Sequence, residues 1–425
     1  MSSDAANRAS GSSVATKATI LFTNFFLIIL AYYQVKSASR SLLIEYWGSG
    51  NFPYVWIVSA LVLGVFIGIY YRALAMFSRT KVVLGCIVLF IFLLIGFRIW
   101  LQAKSPVAAI TFYIFIDIFS VVLVEQFWSL ANTITSSEAG KKSYWFVGTG
   151  GLLGGAVGGA IAAGLLQLGW VKTADLLLVC AALLGLIFFM NLFMSKQGLF
   201  EEIKPPDDKD KPQIDTRSML KNRYILLIAA ALLCAQLVQP IVEFQFIKAI
   251  EETYTQLDER TQFFSVFFGA LGLISIAVNL TLTPLIHRYL GIFAGMLVQP
   301  VATVVCSLAF FAVPTLMMAS IMKISDRGLN YSINRASKEQ LYIPLDPMVT
   351  YQAKAWIDML GYRLFKIAGA GLILLLTQWL PVTVSSPQLS WLTVMVCIAW
   401  AVVISLLSIE YRRLNKSPSA VAAAE

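Results

Sequence analysis

The sequence predicts an all-α polytopic membrane protein, with twelve transmembrane helices arranged as two pseudo-symmetric six-helix halves. Three observations carry this. Hydrophobic residues make up 58% of the chain and charged residues only 13%, at a mean hydropathy of +0.77; a soluble domain carries about 25% charged residues. The apolar runs are each roughly 20 residues long, the length a helix needs to cross about 30 Å of hydrocarbon. The two-residue alternation of an outer-membrane barrel is absent. Finally, one charged, proline-rich stretch, KQGLFEEIKPPDDKDKPQIDTRSMLKN over 196–222, divides the apolar runs into six and six.

In chain order, residues 1–16 read as a disordered polar tail. The first apolar run has no small-residue cleavage site and continues into a charged helix, so it is a retained span. The expected spans are 18–43, 53–75, 80–102, 106–133, 143–169 and 172–195, which form a half over 17–195. After the linker come 223–250, 261–284, 289–312, 315–340, 348–378 and 388–411, a half over 223–412, and then a tail over 413–425. The linker has the composition of a mobile cytoplasmic connection. Lys and Arg fix the orientation. With the N-terminus inside, Arg72, Arg79, Lys81, Lys141, Lys142, the linker bases, Arg288, Arg412 and Arg413 face the cytoplasm. The outer loops hold little beyond Lys104, Lys172 and Arg260. Both termini are therefore expected in the cytoplasm of a bacterial inner membrane.

The net charge of +9 reflects cytoplasmic loops and intramembrane bases. No basic cluster interleaved with aromatics points to nucleic acid. Cys86, Cys180, Cys234, Cys306 and Cys397 lie singly in apolar runs, and His287, the sole histidine, falls in an expected loop. That pattern gives packing residues and no metal set. Neither a nucleophile–base arrangement nor paired catalytic carboxylates emerge, so an enzyme is not expected, and no cofactor is implied.

Charges inside a bilayer are costly and mark a pathway or a site by default. In span 1, Lys36 and Arg40 lie one turn apart and form an anion clamp, Arg being able to grip phosphate bidentately. Snorkelling toward the interface is the alternative. In span 4, Asp117 and Glu125 share a face with Trp128 and suit gating or coupling. Glu243 in span 7 follows Pro240, which frees a backbone carbonyl nearby. In span 10, Lys323, Arg327, Asn330, Asn334 and Lys338 recur at the spacing of one α-helical face. In span 11, Lys354 and Asp358 are an i, i+4 pair. Pro344 and Pro347 make the segment between these spans a cytoplasmic turn, and place Lys338 and Glu339 as gate charges or solvated loop charges. Lys36, Arg40, Lys323, Arg327, Asn330, Asn334 and Lys354 are the expected substrate-binding residues. Asp117, Glu125, Glu243, Asp358 and Lys338 are the expected gating or coupling residues. Eight intramembrane bases (Lys36, Arg40, Lys323, Arg327, Arg335, Lys354, Arg363, Lys366) outnumber five acids (Asp117, Glu125, Glu243, Asp326, Asp358) by three, which favours an anionic cargo. The glycines of GTGGLLGGAVGGAIAAG in span 5 suit close helix packing. They do not suit a phosphate loop, because no Gly-Lys-Ser/Thr ending follows and no strand precedes.

Six plus six spans about a long middle loop resemble the major facilitator superfamily, whose halves rock about a midplane site. At VEQFWSLANTITSSEAGKKSYWFVGTGGLLGG and SINRASKEQLYIPLDPMVTYQAKAWIDMLGYRLFK the sequence resembles the ATP/ADP translocase family of nucleotide transporters. YYQVKSASRSLL and LVQPIVEFQFIKAIEETYTQLDERTQFFSVFFG resemble it too. The resemblance implies exchange of nucleotides, typically external ATP for internal ADP and phosphate, or uptake with protons. It matches Glu125 to the family's acid before a tryptophan and Glu243 to its span 7 acid. It matches Arg40, or Lys36 with a one-residue shift, to the span 1 base, and Lys338 or Lys354 to the late base. Span 1 departs from the family's Arg-Asp-Thr-Lys-Asp, reading Lys36-Ser-Ala-Ser-Arg40-Ser without the acids. The expected protein is a secondary transporter of an organic phosphate, foremost a nucleotide, working as a monomeric unit in the lipid bilayer. A proton-coupled carrier of another amphipathic anion or lipid head group is the alternative, and a non-transporting membrane sensor or assembly partner the second.

Overall fold

The computed structural model describes residues 2–134, 137–196, 222–345, 349, 353–354, 356–357, 361–381 and 383–415. Among these no strand occurs. The helices are α1 (Ser2–Trp47), α2 (Phe52–Met76), α3 (Arg79–Trp100), α4 (Pro106–Ile134), α5 (Ser137–Gln167) and α6 (Leu176–Lys196). They continue as α7 (Arg223–Thr253), α8 (Leu257–Leu280), α9 (Leu282–Tyr289), α10 (Gly291–Ala312), α11 (Leu316–Leu329), α12 (Arg335–Leu341), α13 (Tyr362–Leu374) and α14 (Leu389–Asn415). Local chemistry places several ends. Pro106 opens α4, where its missing N–H costs nothing. Gly48 follows α1 and Gly169 follows α5 at φ 83° and 68°, the left-handed conformation that glycine adopts without a Cβ clash. Thr315 caps α11 by accepting from the Met318 amide at 3.4 Å.

Ten helices among the described residues are long and apolar enough to cross a membrane, corresponding to expected spans 1–9 and 12. The other two differ for identifiable reasons. Span 10 is broken into α11, a π-helical turn over Asn330–Asn334, and α12. In span 11, residues 350–352, 355 and 358–360 lie outside the described residues, and α13 begins only at Tyr362. The polar tail expected to be disordered over 1–16 instead continues α1 back to Ser2.

The chain forms two compact units. The first comprises Met1–Gly48, Leu61–Pro205 and Tyr254–Leu273; the second comprises Ser49–Ala60, Pro206–Thr253 and Ile274–Glu425. In the first, Phe25 stacks on Phe127 at 4.4 Å, and Phe90, Phe97, Phe112, Phe115 and Phe119 interlock between α3 and α4. The glycine face of α5 presses against α1. A Cβ added at Gly150 would stand 2.7 Å from the Phe22 carbonyl oxygen, and one at Gly158 2.9 Å from that of Leu30. Gly159 faces the backbone of Ser265 and Gly269 on α8 in the same way. The small residues thus make a packing seam.

In the second unit α7 is the buried pillar, with α11, α13 and α14 packed around it and α10 packed on α11 and α14. Pro240 lies inside α7, and Gly369 of α13 seats against it. Ser49, just past α1, donates from its backbone N–H to Glu251 at 3.0 Å, and its hydroxyl bonds the same carboxylate.

Candidate functional site

In the first unit the site is built on α1 and α4. Lys36 and Arg40 fall on one face of α1, both half-buried, with the Arg40 guanidinium donating to the Lys36 carbonyl at 3.1 Å. Aromatic rings surround them. Lys36 Nζ lies 4.1 Å from the centre of the Phe268 ring, 4.5 Å from Tyr33 and 5.6 Å from Tyr32. The Arg40 guanidinium lies 5.1 Å from Phe268 and 5.7 Å from Tyr113. On α4, Asp117 is half-buried and Glu125 exposed, on the stripe that runs on to Trp128. The Trp128 indole is wedged edge-on against Phe25 at 5.5 Å and Tyr144 at 5.7 Å.

In the second unit the site is a buried ionic network. Lys323 of α11 is 1% exposed and ion-paired to Glu243 of α7, which is 9% exposed. Asp326, fully buried one turn along, lies 3.9 Å from Lys323 Nζ and 3.9 Å from Arg327 Nε. Gln299 of α10 donates to the Asp326 carbonyl at 3.1 Å and to its carboxylate at 3.3 Å. Burying four charges is tolerable only as such a mutually paired set. Arg327 alone among them retains appreciable side-chain exposure, 23%.

The expected single face through Lys323 and Lys338 does not survive. A π-helical turn takes one extra residue, which rotates everything after it by about 100° around the axis. Before the turn Lys323 is buried and Arg327 half-exposed; within and beyond it Asn330 and Lys338 are half-exposed and Asn334 is buried. Asn334 donates to the Asn330 side chain at 3.1 Å, while its own buried carbonyl oxygen makes no hydrogen bond. Asp358 lies outside the described residues. Its expected partner, Lys354, reaches Glu339 at 2.6 Å and covers the Tyr342 ring at 4.8 Å. His287 sits in α9 rather than a loop, held to α12 through Ser337 at 2.8 Å.

Sequence reasoning grouped Lys36 with Arg40 and pointed to Glu243 as a gate or as the partner of a base in span 10 or 11, and Lys323 of span 10 is that partner. It missed Gln299, Phe268, Tyr33 and Tyr113 as site residues. A lone glutamine or a ring in an apolar run carries no pattern that separates a site wall from a lipid-facing or core position.

Long apolar helices that carry paired charges define, among the described residues, the class of polytopic membrane proteins. Within it, the family model described as TLC ATP/ADP transporter matches residues 107–325 and 314–411, and the chain belongs to that family. It is 25% identical to ADP,ATP carrier protein 1 of Chlamydia muridarum over 332 residues, 66% of this chain and 63% of that protein. It is 24% identical to ADP,ATP carrier protein 4 of Rickettsia conorii over 364 residues, 75% and 70% of the two chains. The chain thus spans somewhat under two thirds of the length of the Chlamydia relative. Among solved structures, the POT family transporter PepTSo superposes with a TM-score of 0.68 at 11% identity, covering 94% of this chain and 98% of that one. A bacterial homologue of the iron transporter ferroportin superposes at 0.64 and 12% identity, over 93% and 98%. The nucleoside transporter NupG superposes at 0.60 and 16% identity, over 94% and 100%. These likenesses establish the fold alone.

Proposed function

We propose that this protein carries nucleotides of the ATP/ADP type across a bacterial inner membrane by alternating access, with both termini cytoplasmic and one chain as the transport unit. The observation that carries the reading is membership of the TLC ATP/ADP transporter family across most of the chain. The charge pattern supports it: Lys36 and Arg40 in the first unit and Arg327 in the second retain exposure at intramembrane depth, where phosphate oxygens reward cationic donors. Asn330 and Asn334 add neutral hydrogen bonding beside Arg327. Lys323 acts through its pair with Glu243, which opens and closes with the transport cycle. Asp117 and Glu125 serve coupling on the α4 stripe, and Glu339 with Lys354 and Lys338 gates one end of the second unit.

Purified protein in proteoliposomes loaded with ADP tests this, with radiolabelled ATP outside and a panel of other phosphates as competitors. ATP is expected to enter in exchange for ADP, and both Arg40→Ala and Glu125→Gln to cut that flux severely. Absence of exchange for every nucleotide overturns the reading. Flux that ignores both substitutions overturns the residue assignments.

A further inference from the structure

Lys36 and Arg40 are like charges one helical turn apart, an arrangement that repels at close range. One ring faces both of them. Phe268, 4% exposed, projects from α8, and its centroid is 4.1 Å from the lysine nitrogen and 5.1 Å from the guanidinium carbon. The negative face of an aromatic ring attracts each cation. A ring stabilises the cations without cancelling their charge, as a carboxylate would. Tyr33 and Tyr32 also lie beside the lysine in this way, and Tyr113 beside the arginine.

The ring is itself fixed from several directions. It stacks on Phe264 at 5.7 Å and 18°, and meets Phe267 edge-on at 5.9 Å. The next residue, Gly269, seats against Ala156 and Gly159 of α5. Two turns earlier on the same face of α8, Arg260 is 4% exposed and donates to Glu45 at 3.2 Å and to the Ser41 carbonyl at 3.5 Å. Both acceptors lie on α1, just beyond Arg40. The helix that carries the ring is therefore anchored to the helix that carries the cations.

We propose that Phe268 is a positioning residue for anion binding, holding Lys36 and Arg40 at a fixed separation and direction so that a phosphate group meets both without first ordering them. This rests on the reading of Lys36 and Arg40 as phosphate-binding cations. Preorganisation acts on affinity, because the cost of immobilising two long side chains is met before the ligand arrives. An aliphatic side chain of similar size fills the same space without the quadrupole, which separates positioning from packing.

The experiment compares Phe268→Leu, Phe268→Met and Phe268→Tyr in full-length protein. One readout is KM against maximal rate for ATP in proteoliposomes. The other is binding of inorganic tripolyphosphate to the solubilised protein, followed by its thermal shift. Phe268→Leu and Phe268→Met are expected to weaken tripolyphosphate binding and raise KM about tenfold, with a smaller change in maximal rate and a modest loss of melting temperature without ligand. Phe268→Tyr is expected to restore both. In a Lys36→Gln/Arg40→Gln background, removing the ring should add nothing. The inference is overturned if tripolyphosphate does not bind the unaltered protein, if the aliphatic variants bind it as well as the unaltered protein, if the tyrosine variant is as defective as they are, or if the ring still matters once both cations are gone. Ring-dependent tripolyphosphate binding without any nucleotide exchange removes the nucleotide reading and leaves this one standing. Nucleotide exchange indifferent to the ring does the reverse.

Discussion

The two units hold their intramembrane bases by different physics. In the first, Lys36 and Arg40 lean on Phe268, Tyr33 and Tyr113, and the scaffold beneath them is a glycine seam and a stack of phenyl rings. In the second, Lys323 is sealed against Glu243, with Asp326 and Arg327 completing the set. Rings restrain a cation and leave its charge available to a ligand. A carboxylate restrains it more strongly and cancels the charge, so that a phosphate must first replace the carboxylate. On the proposed function, the difference teaches where to look for binding and where for conformational control: affinity is expected at α1, and the switch at the α7–α11 pair.

Four substitutions would break or sharpen that contrast. The largest effect is expected from Glu243→Gln, which leaves Lys323 buried with its main partner gone. The loss of stability should be about 3–5 kcal/mol, seen as a lower melting temperature in detergent, with much of it recovered in Glu243→Gln/Lys323→Met. A single variant as stable as the parent would show that the pair is not structural. Arg40→Ala should barely alter melting, yet lower nucleotide affinity roughly 10- to 100-fold, the span of a charge-assisted hydrogen bond worth about 1.5–3 kcal/mol. If melting falls and affinity does not, the first unit's cations are structural and the contrast collapses. Gly158→Val forces a branched side chain onto the Leu30 carbonyl, and overpacking of this kind costs about 1–3 kcal/mol. Thermal unfolding checks it, and indifference there would mean that α1 and α5 are not held by close approach. The smallest effect is expected from Lys354→Ala. Its pair with Glu339 is 35% and 57% exposed, and exposed pairs contribute under about 1 kcal/mol. Transport rates at low and high salt should separate the parent from this variant only at low salt.

The fold was legible because membrane helices announce themselves by length and apolarity, and nine of the first nine expected spans reappear as such helices. Span 10 was not, because a π-helical turn changes the register without changing composition: NYSIN reads as α-helix, and only the hydrogen-bond pattern shows the added residue. Within the candidate site, residues spaced one turn apart were easy to group, as Lys36 and Arg40 show. Pairings across helices were not. Glu243 was expected to meet a base of span 10 or 11, but nothing in the spacing singles out Lys323, eighty positions away, and nothing joins Lys354 to Glu339. Phe268 was hidden for a further reason, since one phenylalanine among the several of TQFFSVFFG is chemically indistinguishable from its neighbours until its helix is docked.

The second unit's network also bears on how the membrane potential can act. Moving one elementary charge through 100 mV involves about 2.3 kcal/mol. Glu243, Lys323, Asp326 and Arg327 carry two formal charges of each sign, so the set can shift as a body with almost no electrical work. Lys36 and Arg40 are like charges on one helix, and a rearrangement of α1 moves both through the field. Voltage sensitivity in this protein should therefore be a property of α1 and its cargo, and should fade as that pair is neutralised, even though the greater number of buried charges lies in the other unit.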